Sequence, residues 1–339
     1  MAPKTLLDVT RLSARSAELT ARFSSHIFGQ PEATEAFTNV LEKFHSGIYD
    51  HTKPIASLLF LGPTGTGKTA SVEAFVTGLF GSPDKLLKID CAEFQHSHEM
   101  ARLIGSPPGY LGHRETAAYI TTAKIAAIQS PEFPFAVLLF DEIEKASDAI
   151  WNLLLGILDK GTLTLGTNER VDLTATIIVM TSNVGSKEMA KQSDGDGSLG
   201  FESPTAENLS TVRLQEISKS AAKRKFMPEF LNRLDEIVVF NTLTKDDIKN
   251  ILKLEVRKFQ EQVVRTSKAV VHIDISPSAE KEILAEGFDK KYGARFLKRT
   301  IEKRVTIPVA RVVASKQVFD QDTVVVDYDG EFKYYGGFF

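Results

Sequence analysis

Cysteine occurs once in the 339 residues, at Cys91, which excludes an intramolecular disulfide and a cysteine-based zinc site. A chain so poor in thiols suits a reducing compartment, and Cys91 reads as an inert packing residue. Long apolar runs are missing as well. The longest, Phe133 to Phe140 and Ala175 to Met180, fall far short of the ~20 residues that a membrane-spanning helix needs. No secretory apolar core follows the N-terminus. Arg11, Arg15 and Arg22 among Ser and Thr have something of a transit peptide, but Asp8 and Glu18 count against it. Nor is there a basic excess: 41 Lys and Arg stand against 44 Asp and Glu, with pI near 6.2, so nucleic acid is not the leading partner. No internal repeat is visible. The reading is a soluble cytoplasmic chain with no membrane partner, long enough for two cores of ordinary size.

What is present is organised around Leu58-Leu59-Phe60-Leu61-Gly62-Pro63-Thr64-Gly65-Thr66-Gly67-Lys68-Thr69, an apolar run that stops at a glycine-rich turn and opens into a helical pattern over Ala70 to Leu79. Gly62, Gly67, Lys68 and Thr69 fill the phosphate-loop motif, whose glycines let consecutive backbone N–H groups face an anion. Lys68 would reach β/γ-phosphates and Thr69 would offer its hydroxyl to Mg²⁺. The strand before the loop and the helix after it are the context that the motif requires.

Further along, Phe135-Ala136-Val137-Leu138-Leu139-Phe140 reads as the middle strand of a parallel sheet and ends in Asp141-Glu142. The strand Ala175 to Met180 ends in Thr181-Ser182-Asn183. Ligands of open α/β sheets bind outside the carboxyl ends of the strands, so Asp141, Glu142 and Asn183 should converge on the nucleotide held by residues 62–69. Asp141 fits a water-mediated hold on Mg²⁺, and Glu142 the general base that activates the attacking water, although the same pair could cap the helix that follows.

The other elements expected are a helical lead-in with Leu12, Leu19 and Phe23 on one side, and a helix over 32–49. A strand at 86–90 and helices at 93–104, 115–129 and 148–158 follow, then a polar loop at 185–210 and a helix from 211 to 225. Gly105-Ser106-Pro107-Pro108-Gly109-Tyr110-Leu111-Gly112 cannot be regular structure and reads as a protruding loop. The chemistry of an α/β first domain ends near Phe240. Helices at 244–263, 277–286 and 293–315, with strands at 270–275 and 323–327, suit a small α+β lid. The domains are therefore 1–24, a helical lead-in, 25–240, a large α/β domain with a central parallel sheet, and 241–339, the lid.

The order and spacing of Ile27-Phe28-Gly29-Gln30, Gly62 to Thr69, Gly105 to Gly112, Leu139 to Lys145, Thr181 to Asn183, Pro228 to Asp235 and Gly293-Ala294-Arg295 resemble the second ATPase module of the Clp/Hsp100 AAA+ family over nearly the whole chain. The resemblance implies a hexameric ring that hydrolyses ATP at subunit interfaces and pulls polypeptide clients through a central pore. It implies that Ile27 and Phe28 border adenine, that Asn183 orients water, that Arg233 is a finger reaching a neighbour's γ-phosphate, and that Arg295 is a lid arginine that senses it. Tyr110 becomes the pore aromatic that grips the client. Leu199-Gly200-Phe201 stands where peptidase-coupled members carry the tripeptide that docks on a ClpP-type peptidase, though the same residues could fold back on the ring.

The chain departs from the family in the residues after Tyr110, where His113 to Ala118 replace an aromatic, acidic, glycine-rich continuation. It holds one module, read as a stand-alone one-ring form or a fragment. A threading motor is the leading expectation. A nucleotide-switched assembly scaffold is the alternative, and it could dispense with the pore aromatic.

Overall fold

The computed structural model describes residues 7–106, 118–186, 188, 204–266, 271–288 and 293–337. Tyr110, Leu199, Gly200 and Phe201 lie outside the described residues. Contacts divide the chain into two units, Met1–Gly62 with Lys68–Phe240, and Asn241–Phe339 with Pro63–Gly67 of the phosphate loop.

The first unit is built on five parallel strands, β1 (Ala56–Leu61), β2 (Leu86–Asp90), β3 (Ala136–Asp141), β6 (Thr176–Ser182) and β7 (Glu236–Val239), in the order β2-β3-β6-β1-β7. The strand that delivers the phosphate loop therefore lies between β6 and β7. The central strands are apolar on both faces, and their alternation splits the core in two. Leu59 and Leu61 pack with Leu138, Phe140, Ile178 and Met180, while Leu58 and Phe60 pack with Val137, Leu139, Ile177 and Val179. A slip of one residue would exchange the two faces, so the register is held by packing as well as by hydrogen bonds.

On the second of these faces, α1 (Ala14–Ser24), α2 (Pro31–Ser46) and α3 (Lys68–Phe80) meet through aromatic rings. Phe37 stacks on Phe75 at 4.2 Å, and Phe23 meets Phe75 edge-on at 5.4 Å. The lead-in helix is thus sewn into the first core through Leu19 and Phe23. Leu12 does not share that stripe. The Ser13 side chain accepts from Ser16 N and starts the helix after it, leaving Leu12 outside and 40% exposed.

Several expected elements take another form. The helix expected over 93–104 breaks into 3-10 turns at Cys91–Glu93 and Ser97–Glu99 and a short α4 (Met100–Ile104). Glu99 Oε2 accepts from His96 N, a capping bond that restarts the chain there. Within the helix expected over 115–129, residues 118–121 are not helical and α5 spans Thr122–Ile128: Thr121 caps it, and Tyr119 and Ile120 bond instead to Arg102 and Leu103 carbonyls. After α6 (Asp148–Lys160), Gly161 turns left-handed and leads into a small hairpin, β4 (Thr162–Thr164) and β5 (Arg170–Asp172), whose strands are too short to stand out as a pattern. Helix α7 (Pro204–Lys225) starts inside the stretch expected to be loop, since the proline suits a first helical turn. A short α8 (Pro228–Leu231) precedes β7.

The second unit pairs β8 (His272–Ile275) parallel with β9 (Thr323–Tyr328), and β9 antiparallel with β10 (Phe332–Gly337). Strand β10 was not expected, although Asp329-Gly330 before it is a hairpin-turn dipeptide. Helices α9 (Lys245–Thr266), α10 (Pro277–Gly287), α11 (Ala294–Ile301) and α12 (Ile307–Ala314) cover a core that includes Ile248, Ile283, Leu297, Val305, Val324 and Val326. The single helix expected over 293–315 contains a π turn at Glu302–Thr306. Pro308 has no N–H for the Arg304 carbonyl four residues back, and Tyr334 donates its hydroxyl to that carbonyl at 2.8 Å instead.

Candidate nucleotide site

The carboxyl end of β1 runs into the phosphate loop because Gly62 can take φ +149°. A side chain there would also place its Cβ 2.8 Å from the Phe240 carbonyl oxygen. Lys68 opens α3 with only 7% of its surface exposed, and its ammonium donates to Gly62 O at 2.8 Å and Asn183 Oδ1 at 3.0 Å. Asn183 Nδ2 in turn donates to Glu142 Oε1 at 3.3 Å. Residues from the ends of β1, β3 and β6 are therefore linked in one line, Lys68 to Asn183 to Glu142.

A second set of bonds fixes Asp141. Thr69 Oγ1 lies 3.1 and 3.3 Å from its two oxygens, Thr181 Oγ1 donates to Oδ1, and Lys88 Nζ sits 3.0 Å from Oδ2. Burial alone would raise the Asp141 carboxyl, but the hydrogen bonds from Thr181, Lys88 and Thr69 together with the Lys88 charge hold it below the ordinary carboxylate range. Thr181 Oγ1 also accepts from Glu142 N at 3.1 Å, so one buried hydroxyl orients both acids. Glu142 itself adopts a left-handed backbone, φ +55°, which turns its side chain away from that of Asp141 toward Asn183 and Lys145. The Lys145 ammonium is raised above its ordinary range, first by its hydrogen bond to Glu142. Glu144 braces the loop from behind, with Oε1 accepting from Asn183 N at 3.1 Å.

Oxygen donors at Thr69 and Asp141 suit a hard cation such as Mg²⁺. Among the described residues no group of three or more His, Cys, Asp or Glu could hold a metal by itself. One or two protein oxygens beside a phosphate loop is the arrangement by which Mg²⁺ is usually held together with substrate phosphates.

The other expected site residues stand outside this set of hydrogen bonds. Ile27 is buried in the core beside α2 and Phe28 is half-buried in the turn before it. Arg233 sits at the amino end of the sheet, where Ser57 Oγ, at the start of β1, donates to the Arg233 carbonyl at 3.3 Å. The five residue steps from Ser57 to Gly62 span roughly 16 Å of strand, so the guanidinium and the phosphate loop of one chain occupy opposite ends. A cavity of about 340 Å³ opens beside Arg233, lined by Lys43, Lys53, Asp159 and Asn232 among others. Arg295 is exposed on the first turn of α11. Lys88, Thr181, Glu144 and Lys145 were not foreseen. Only Lys145, three residues after Glu142, carried a signal in its spacing.

Two family models match the chain, the AAA domain (Cdc48 subfamily) over residues 53–237 and the C-terminal, D2-small domain of ClpB protein over residues 243–326. The chain belongs to the AAA domain family. Within it, this is a Clp/Hsp100-type AAA+ module. The ATP-dependent Clp protease ATP-binding subunit ClpC of Staphylococcus saprophyticus is 36% identical over 333 residues, covering 98% of this chain and 39% of the relative. That of Staphylococcus epidermidis matches to the same extent. The chain thus spans about two fifths of the length of these curated relatives. Among solved structures, a closed state of Hsp104 with ATPγS and FITC casein superposes with TM-score 0.79 at 28% identity, covering 97% of this chain and 53% of that one. The S. cerevisiae Hsp104:casein complex in an extended conformation gives 0.77 at 29%, covering 93% and 51%. The AAA+ module therefore has the P-loop large domain and the small α+β lid expected of it.

Proposed function

We propose that this AAA+ module hydrolyses ATP with Mg²⁺ and uses the energy to unfold and thread polypeptide, as one subunit of a hexameric ring. The observation that carries the reading is the line from Lys68 through Asn183 to Glu142 at the carboxyl ends of the strands, beside Thr69 and Asp141. Lys68 would bind the β/γ-phosphates, and Thr69 and Asp141 would hold Mg²⁺, which when bound neutralises charge on the phosphates. Asn183 would orient the attacking water and Glu142 would take its proton. The position of Arg233 at the far end of the sheet supports a finger that serves a neighbouring subunit, and Arg295 is assigned as the lid arginine. Residues 62–69 with Ile27 and Phe28 form the nucleotide-binding set.

The ClpC and Hsp104 likenesses, the latter with casein, support polypeptide clients, gripped by Tyr110. Leu199-Gly200-Phe201 is assigned to a ClpP-type peptidase, six copies giving avidity that one weak contact lacks. A cytoplasmic setting accords with a single cysteine and with the lack of any helix among the described residues long and apolar enough to cross a membrane. The decisive experiment is Glu142→Gln. The amide keeps the shape and removes the base, so ATP binding and nucleotide-dependent assembly persist while turnover falls by roughly 10²–10⁴. Turnover near the parent rate would sink the assignment.

A further inference from the structure

Strands β2 and β3 pair so that Asp90 stands directly opposite Asp141, and Lys88 opposite Leu139. Two carboxylates placed as direct cross-strand neighbours repel; Asp90 is exposed, but Asp141 keeps only 17% of its side chain in solvent, so water screens the pair from the Asp90 side alone. Asp90 is partly spoken for, since its Oδ1 accepts from Ala92 N at 2.9 Å and caps the turn after β2. Nothing in that bond offsets charge on Asp141. Lys88 does. Strand alternation puts its side chain on the same face as Asp90, and its four-carbon stem spans the diagonal to Asp141 Oδ2 at 3.0 Å.

From this juxtaposition we infer that Lys88 is a positioning residue of the nucleotide site: it holds the Asp141 carboxylate against Asp90 repulsion, in the orientation from which it serves Mg²⁺. Thr69 and Thr181 hold the same carboxylate by neutral hydroxyls, which orient it without offsetting its charge. The ammonium is the charged partner of that set, and its strand address is fixed by sheet register. Removing it leaves Asp141 facing Asp90 with two hydroxyl contacts and freedom to rotate. Among the described residues the Lys88 ammonium pairs with Asp141 and shares no hydrogen bond with the Lys68, Asn183 and Glu142 line. Its loss therefore shows in the metal requirement and spares metal-free nucleotide binding.

The inference rests on the nucleotide-site reading above, and one titration separates the two. A fluorescent, non-hydrolysable ATP analogue is bound to the full chain, first without metal and then with increasing Mg²⁺, for the parent, Lys88→Met and Lys88→Arg. Lys88→Met is expected to bind the metal-free analogue as the parent does but to need roughly tenfold more Mg²⁺ for half-maximal tightening, as outer partners of metal-binding carboxylates usually require. Lys88→Arg, which restores a cation on the same face, should return the midpoint most of the way. An unchanged or lowered Mg²⁺ midpoint in Lys88→Met overturns the inference alone. So does equal loss of metal-free binding, which would make Lys88 a support for the fold, and so does an arginine that fails to rescue. A parent chain that binds the analogue with no response to Mg²⁺ overturns the nucleotide-site reading and the inference with it.

Discussion

Arg233 Nε donates to Asp159 Oδ1 across 2.6 Å, tying the turn before β7 to the last turn of α6. The same guanidinium donates through Nη1 to the Glu229 carbonyl at 2.8 Å and lies 3.0 Å from the Glu229 carboxylate through Nη2. Within one chain it is thus a bound group at the sheet end remote from Gly62. Arg233→Ala should bind ATP normally yet hydrolyse it about 10³-fold more slowly, because a finger offered across an interface stabilises charge only in the transition state. Mixing it with Glu142→Gln should restore part of the activity at hybrid interfaces. Strictly additive mixtures with normal assembly would show that Arg233 serves no neighbouring site.

Cys91 lies fully buried where β2 gives way to a 3-10 turn. Burial pushes its thiol far above the ordinary range, and the carboxylates of Asp90 and Asp141 add to the effect. The thiolate, the reactive form, is therefore suppressed in the folded chain. A thiol reagent at pH 8 should leave the native protein unlabelled over the time in which the urea-unfolded chain reacts fully. Rapid native labelling would place this thiol in a looser end of β2 than the packing implies.

The parallel sheet, and the meeting of Lys68, Asn183, Glu142, Thr69 and Asp141 at its carboxyl end, were readable because both follow from local pattern. Continuous apolar runs mark strands covered on both faces, and polar residues at their carboxyl ends mark where a ligand sits. Residues that act through register were not readable in that way. Lys88 matters only because β2 pairs with β3 in one alignment, and Thr181 matters because its hydroxyl falls between Asp141 and Glu142. Short elements escaped for a related reason. Strands of three residues at Thr162 and Arg170 carry too few alternations to count, and the run from Glu93 to Ile104 has helical spacing that the His96 and Glu99 capping bond interrupts.

Lys68 and Asn183 share a hydrogen bond but should fail differently. Lys68→Ala removes the cation proposed to bind the β/γ-phosphates, and nucleotide affinity should fall about tenfold to a hundredfold, the worth of one charge-assisted hydrogen bond. Asn183→Ala leaves that cation in place and removes the amide that lies between Lys68 and Glu142. Affinity should stay within a few-fold while turnover drops by roughly 10² or more. Equilibrium titration and single-turnover hydrolysis separate the two. If both variants lose binding equally, Asn183 acts as part of the phosphate cradle and the role of orienting water falls.

Two glycines on either side of Gly161 make opposite predictions for one substitution. Gly166, at the tip of the β4–β5 hairpin, donates its N–H to the Ile104 carbonyl at 2.8 Å, and a Cβ built on it would lie 2.3 Å from the Gly105 carbonyl oxygen. The colliding atoms are backbone, so no side chain can rotate out of the way. The hairpin would have to lift off the segment it braces. Glu169 on the same hairpin also accepts from Thr122 Oγ1 at 3.1 Å, so contacts on both sides of residues 107–117 would be disturbed. Gly166→Ala should cost about 1–3 kcal/mol, in the range of overpacking at a tight contact. Gly156 lies inside α6, where an added Cβ meets nothing within 4 Å, and a helix-interior alanine is favoured over glycine by about 0.8–1 kcal/mol. Gly156→Ala should therefore raise the thermal midpoint and Gly166→Ala lower it, each by about 2–4 °C per kcal/mol for a unit of this size. Equal midpoints for the two variants would mean that the hairpin does not rest on Gly105 in solution.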